Sequence, residues 1–303
     1  MGKRAIVTGA TSFIGIYLIK ELLKTNYTVV ALIRPHSARK MLLNQMCPSV
    51  QVIECELNEI REVDLPLDSY DTLFHIAWSS DFVNSRYNRN GQLRNVDFCC
   101  YSVELAARYH CEKYLSIGSQ AECGLVISPI SSITRDNPIT AYAEAKCIAY
   151  DKTKEMCKKN GIKQYWPRLL SAYGPYDRES TLISSCINAC RNKRKVDLTP
   201  CEQIWDYIYI SDVACAIVAI AEKGKPEKKY SIASGKGRVL KEYIQAIADV
   251  MNYPQLLEGI GNKGYEQNQV MYLVGDINEM KEEVGVEIRS SFRKGLITII
   301  NTI

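Results

Sequence analysis

The sequence predicts an α/β fold: a doubly wound parallel sheet with a smaller C-terminal α+β lobe that can close over a ligand. Three observations predict it. Short β-branched and aliphatic segments alternate with helical patterns through the first two-thirds of the chain, the order required by a parallel sheet with helices on both faces. The first segment ends in a glycine-containing turn that opens directly into an apolar-striped helix. From about Pro226 the strand signals thin out, and two helical stretches, Leu240–Met251 and Asn278–Val284, follow among several glycines.

In chain order, strands are expected at Ala5–Val7, Thr28–Ile33, Val50–Ile53, Thr72–Ile76, Tyr114–Ile117 and Gln164–Trp166. Helices are expected to begin near Phe13, Leu93, Tyr142 and Leu182. No repeat, low-complexity tract or long linker interrupts them, so two intimately packed lobes are expected. The first takes residues 1–172, with 203–234 returning to it; the second takes 173–202 and 235–303.

At 303 residues, with 47% hydrophobic and 24% charged positions, the composition is that of an ordered globular protein. Met1-Gly2-Lys3-Arg4 runs straight into a strand, leaving no room for a signal peptide, and no apolar run can span a bilayer, so a cytoplasmic protein without membrane contact is expected. The twelve cysteines are scattered and lack zinc-site spacings. They read as reduced thiols, many of them buried, with no metal. The net charge is +4, and the dense basic cluster Arg191, Lys193, Arg194 and Lys195 reads as a solvated loop; no nucleic-acid partner is expected.

The first strand ends in Thr8-Gly9-Ala10-Thr11-Ser12-Phe13-Ile14-Gly15. Glycine at 9 permits a tight turn and glycine at 15 permits close packing of helix on sheet, while N–H groups at the helix start face a pyrophosphate. Ser12 fills the middle position of the glycine spacing and adds a side chain near the phosphates. This is the start of a Rossmann-type dinucleotide site built from Gly9, Thr11, Ser12, Phe13, Ile14 and Gly15; a plain strand-to-helix turn is the alternative. At the end of the second strand, where a carboxylate would accept from the ribose hydroxyls of NAD, stands Arg34, followed by His36, Ser37 and Arg39. A guanidinium offers donors to a 2′-phosphate and no acceptor to a 2′-hydroxyl, so NADP(H) is expected ahead of NAD. Alternatively, Arg34 stacks on the adenine of either cofactor.

Tyr142-Ala143-Glu144-Ala145-Lys146 lies in a helix-forming stretch, so Tyr142 and Lys146 fall one turn apart on one face. A free phenol titrates near about 10, and a nearby cation is expected to lower that value so that Tyr142 works as acid or base. Ser119 follows a strand at the carboxyl edge of the sheet, where open parallel sheets bind ligands, and offers a second donor to a carbonyl oxygen. Alone, Tyr-x-x-x-Lys is a common surface pattern. Its force comes from sharing a chain with the glycine turn and the strand-end serine.

With these residues the chain resembles the extended short-chain dehydrogenase/reductases, a family of nucleotide-sugar epimerases, dehydratases and reductases. The resemblance also includes Phe74-His75-Ile76-Ala77, Asn95-Val96, Arg168 leading to Tyr173-Gly174-Pro175, the run from Trp205-Asp206-Tyr207 to Val213-Ala214, Tyr230 to Gly235, and Phe292-x-x-Gly295-Leu296. It implies Tyr142 as general acid/base, Lys146 gripping the nicotinamide ribose and tuning Tyr142, and Ser119 orienting the substrate oxygen. It implies further cofactor contacts at Glu56 and Leu57, beside the adenine, and at Ala77. A nucleoside-diphosphate sugar is the implied substrate, met by Trp78, Gln120, Ser171, Trp205 and Arg238. A homodimer paired through the helices beginning near Leu93 and Tyr142 is also implied.

Departures from the family pattern narrow the reading. Family dehydratases carry Asp-Glu directly after the catalytic Ser/Thr, whereas Gln120-Ala121 follow Ser119, which disfavours dehydration; Glu122 is the nearest alternative acid. Trp205 replaces an arginine that often reaches the substrate diphosphate, leaving Arg178, Arg238 or the 191–195 cluster to supply the cation. Cys123 and Ser171 replace a usual tyrosine and asparagine. The expected activity is NADPH-dependent reduction of a nucleotide-linked 4-keto-6-deoxy sugar. The alternatives are an NAD-dependent nucleotide-hexose 4-epimerase and a non-catalytic NAD(P)-binding sensor.

Overall fold

The structure, a computed structural model, describes residues 2–79 and 86–302. Strand β1 (Arg4–Thr8) is fully buried from Ala5 onward, hence its continuous apolar run. Helix α1 (Phe13–Lys24) starts where Ser12 Oγ accepts from Gly15 N at 3.0 Å, and it buries Ile16, Leu18, Ile19 and Leu22. There follow β2 (Thr28–Ile33), α2 (Lys40–Met46), β3 (Gln51–Glu54), β4 (Thr72–His75), α3 (Arg89–Arg108), β5 (Lys113–Ser116), β6 (Gly118–Ser119), α4 (Ala141–Lys159) and β7 (Lys163–Tyr165). The main sheet has six parallel strands in the order β3-β2-β1-β4-β5-β7. Strand order reverses between β1 and β4, so the carboxyl ends of those two strands open the crevice where such sheets bind ligands.

The chain continues through β8 (Arg168–Leu169), β9 (Ser171–Tyr173), α5 (Leu182–Arg191), β10 (Ile204–Trp205), β11 (Tyr207–Tyr209), α6 (Ile210–Lys223), β12 (Ser231–Ile232), β13 (Arg238–Val239), α7 (Leu240–Met251), β14 (Tyr272–Leu273) and α8 (Phe292–Thr302). Strand β12 lies parallel to β8, and β8 to β6. A separate apolar cluster gathers α5, α7 and α8 through Ile183, Ile187, Ile244, Ile247 and Leu296. Phe292 packs on Tyr173 and Tyr243 with ring centroids 5.0 and 4.6 Å apart. A Cβ at Gly295 would lie 2.4 Å from Tyr173 Oη, which explains the glycine of Phe292-x-x-Gly295.

Several expectations are corrected. Helix α3 begins at Arg89 rather than near Leu93, because Asn88 Oδ1 accepts from Gly91 N and caps it there. The stretch Asn278–Val284 is helical over its expected range, its Met280–Val284 part wound as π-helix and ended by Gly285 in the left-handed region. Helices α2 and α6 were not anticipated: α2 buries only Leu43 and so lacks a readable stripe, while α6 packs against α1. Among the described residues no helix is long and apolar enough to cross a membrane.

Candidate active site

The glycine turn is tight for a measurable reason. Gly9 has φ +65°, and a Cβ there would lie 2.6 Å from Ala77 N, so the backbones leaving β1 and β4 meet at this point. A Cβ at Gly15 would lie 2.3 Å from Gly9 O, so α1 sits directly on the turn. Ala77 N also donates weakly to Thr8 Oγ1 at 3.4 Å. Thr11, Phe13 and Ile14 are half-buried around this turn, and Thr11 Oγ1 accepts from Ser37 at 2.9 Å. Ser12 Oγ accepts from Gly15 N at 3.0 Å, which leaves the hydroxyl its own proton to donate. The N–H groups of Phe13 and Ile14 belong to the first turn, which a helix leaves without intrahelical partners.

Arg34 is exposed directly after β2. The Arg39 guanidinium donates to Tyr176 O and lies near Asp177, which ties the loop after β2 to the loop after β9. Glu56 and Leu57 follow β3, Glu56 exposed and Leu57 half-buried.

Ser119 ends β6 and caps the single helical turn Gln120–Cys123; its Oγ accepts from Ala121 N at 3.2 Å. Tyr142 lies in the first turn of α4, hydrogen-bonded to the Ser119 hydroxyl, with the Arg86 guanidinium 5.8 Å from its ring. The expected lowering of the phenol by Lys146 is not what the structure shows. Burial dominates and pushes the Tyr142 phenol above its ordinary value, opposed by the Ser119 hydrogen bond and by Arg86. Lys146 is buried, donates from Nζ to Ile117 O at 2.7 Å, and lies 3.6 Å from the centre of the Trp78 ring and 6.0 Å from that of Tyr142. Burial among these rings lowers its ammonium to about 8. Trp78 is held by its own indole N–H, which donates to Gln92 Oε1 at 2.8 Å, and its ring stands edge-on to Tyr142 at 5.7 Å.

Glu122, the alternative acid, is corrected to a buried structural carboxylate. It is wholly buried and accepts from Ser119 N at 2.8 Å, Trp166 Nε1 at 3.0 Å and Arg168 Nε at 3.3 Å. Its oxygens are taken up by these three donors behind Ser119 and are not open to a leaving hydroxyl. Gln120, half-buried, follows Ser119 directly.

Trp205 and Ser171 prove to be partners: the indole N–H donates to Ser171 Oγ at 2.8 Å, leaving the serine its own proton to donate. Trp205 also pairs across the antiparallel β10–β13 ladder with Arg238, whose exposed guanidinium therefore leaves the sheet beside the indole. Arg178, in the loop after β9, lies close enough to Tyr142 to pull its phenol down. Sequence reasoning missed Arg86, the ring contact between Trp78 and Lys146, and the fate of Glu122. Arg86 carries no signal in one sequence, because only the fold brings it to α4.

The sequence pattern of the NAD dependent epimerase/dehydratase family matches residues 5–233. CDP-abequose synthase of Salmonella muenchen is 25% identical over 255 residues, covering 82% of this chain and 80% of that protein. The dTDP-6-deoxy-L-talose 4-dehydrogenase (NAD(+)) of Aggregatibacter actinomycetemcomitans is 24% identical over 254 residues, covering 79% and 87%. Among solved structures, UDP-glucose 4-epimerase of Thermotoga maritima with UDP-glucose superposes with a TM-score of 0.88 at 19% identity, over 98% of this chain and 97% of that one.

Proposed function

Because this chain belongs to the NAD dependent epimerase/dehydratase family, whose members are NAD(P)-dependent enzymes of nucleotide sugars, we propose that it is an NADPH-dependent reductase of a nucleotide-linked 4-keto-6-deoxy sugar. The observation that carries this reading is the placement of Tyr142 beside the Ser119 hydroxyl, with Lys146 one turn along α4, so that the phenol can give a proton to a carbonyl oxygen held also by Ser119. The names of two relatives point to sugar carbon 4 or to a nucleotide-linked product.

The residues fit a nicotinamide dinucleotide: bare glycines at 9 and 15 let α1 sit against the strand ends, so its first-turn N–H groups face the crevice. Bound NADPH supplies hydride to the carbonyl carbon. Tyr142 gives its proton to the oxygen, which balances the reduction of ketone to alcohol. Its phenolate is then stabilised by the Ser119 hydroxyl and the Arg86 cation, with Lys146 one turn along α4. Trp78, Gln120, Ser171, Trp205 and Arg238 are assigned to the nucleotide sugar, Arg238 taking the diphosphate from its place beside Trp205. Residues 1–172 with 203–234 are assigned to the cofactor and 173–202 with 235–303 to the substrate; α3 and α4, which pack side by side, are assigned to a homodimer interface.

Incubation with NADPH and a CDP-, UDP- or dTDP-linked 4-keto-6-deoxyhexose should consume NADPH with one of the three. Conversion of a UDP-hexose with no added cofactor would instead establish the second reading, a 4-epimerase, which the same Ser119, Tyr142 and Lys146 could serve. Arg34→Ala is expected to weaken NADPH binding about tenfold and NADH binding by less than about twofold, the loss of one charged hydrogen-bond partner. Equal weakening of both in fluorescence titrations would remove the 2′-phosphate assignment.

Lys146 predicts a pH dependence. Its ammonium is charged below about 8 and neutral above, so the cation assigned to the nicotinamide ribose is lost on the alkaline side. The kcat/KM profile, which reports the free enzyme, should fall as pH rises through about 8. A profile flat to about 10, the ordinary lysine range, would contradict the buried environment of Lys146.

A further inference from the structure

We propose that Glu122 is a positioning residue for catalysis: its carboxylate holds the Ser119 peptide so that the Ser119 hydroxyl meets Tyr142. The inference rests on the role given to Ser119 above. The turn Gln120–Cys123 is only four residues long, too short to hold its own helical geometry. What holds it is a reciprocal cap in which Ser119 covers the turn's first N–H groups and Glu122 reaches back to Ser119 N at 2.8 Å.

The carboxylate is anchored on its far side. Its second oxygen faces Arg168 Nε at 3.3 Å and Lys229 Nζ at 3.5 Å. Arg168 goes on to Asp136 and to the carbonyls of Ser131 and Thr134, and Lys229 reaches Asp136 at 2.7 Å. Two cations and two carboxylates therefore form a closed set behind the serine, with Glu122 and Arg168 almost wholly buried. Gly118 makes room for it: a Cβ there would lie 2.7 Å from Glu122 Oε1 and 2.5 Å from Trp166 Nε1. Removing Glu122 leaves the Ser119 and Trp166 N–H groups without their acceptor and Arg168 without one of its two carboxylates, so the short turn loses its reason to keep Ser119 in place.

A double-mutant cycle separates positioning from general stability, because a residue that acts through Ser119 has nothing to act on once the hydroxyl is gone. With NADPH and the accepted keto sugar, Glu122→Gln is expected to lower kcat about tenfold, while KM and NADPH affinity stay within about twofold. In the Ser119→Ala background the same change should lower kcat by less than about twofold. Glu122→Asp keeps the charge for Arg168 and Lys229 but draws the oxygens back from Ser119 N, and it completes the cycle if Glu122→Gln does not fold. Amide hydrogen exchange supplies a readout apart from turnover: Ser119 N–H should be protected in the parent protein and exchange faster in either Glu122 variant. An equal kcat loss in both serine backgrounds, or unchanged exchange at Ser119, overturns the proposal alone. No kcat loss from Ser119→Ala by itself overturns both the proposal and the role of Ser119 on which it rests.

Discussion

Tyr142→Phe lowers kcat by about a thousandfold and leaves NADPH affinity within about twofold. The ring of Tyr142 stands edge-on to Trp78 and near Arg86, and phenylalanine keeps those packing contacts. Only the hydroxyl is lost, and with it both the proton that balances hydride addition and the hydrogen bond to Ser119. Water can reach a carbonyl oxygen in its place, but without the fixed position that gives a general acid its advantage. A single-turnover measurement with the keto sugar, set beside a fluorescence titration of NADPH, reads the two quantities separately. Parallel loss of turnover and affinity would mean that the substitution had disturbed the cofactor site, and unchanged turnover would end the assignment of Tyr142 as the proton donor.

Asp206→Ala destabilises the folded protein by about 4 kcal/mol, the scale for breaking a buried charged hydrogen-bond set. Asp206 is wholly buried between β10 and β11. One oxygen accepts from Ser234 N at 2.9 Å and from the Ser234 hydroxyl; the other accepts from Gly235 N at 2.9 Å and Gly275 N at 3.2 Å. Alanine leaves all four donors without that acceptor in the interior. The same carboxylate sets the turn that leads into β13, so the register of Arg238 opposite Trp205 depends on it, and KM for the nucleotide sugar should rise as well. Urea unfolding gives the stability change. Asp206→Asn, which keeps one acceptor oxygen, should lose about half as much; an alanine variant within about 1 kcal/mol of the parent would show that these donors find other partners.

The parts of the fold legible in the sequence are those encoded locally. Thr28–Ile33 and Leu240–Met251 occupy the expected ranges because one apolar period runs through each and stops at a change of residue type. Helix α2 was not legible because a single buried residue makes no period. At the site, Gly9 could be read because its tight turn is a property of the backbone itself, while the use of Ser12 as a cap depends on where Gly15 N lies. The sequence places Tyr142 and Lys146 one helical turn apart, yet it does not show that Ile117 O and the Trp78 ring take the ammonium.

By itself, then, the sequence determined the strand and helix order, the glycine turn at the head of α1, and the presence of a serine, a tyrosine and a lysine at spacings that a parallel sheet brings to one edge. Tertiary structure decided what each group is worth. Desolvation, not the lysine charge, governs the Tyr142 phenol; Glu122 is a buried anchor, not an acid; and Arg238 stands beside Trp205 through an antiparallel pairing of distant segments. The physical reason is common to all three. Backbone geometry and helical spacing are set by neighbours in the chain, whereas burial and charge pairing are set by residues that only folding brings within a few ångströms.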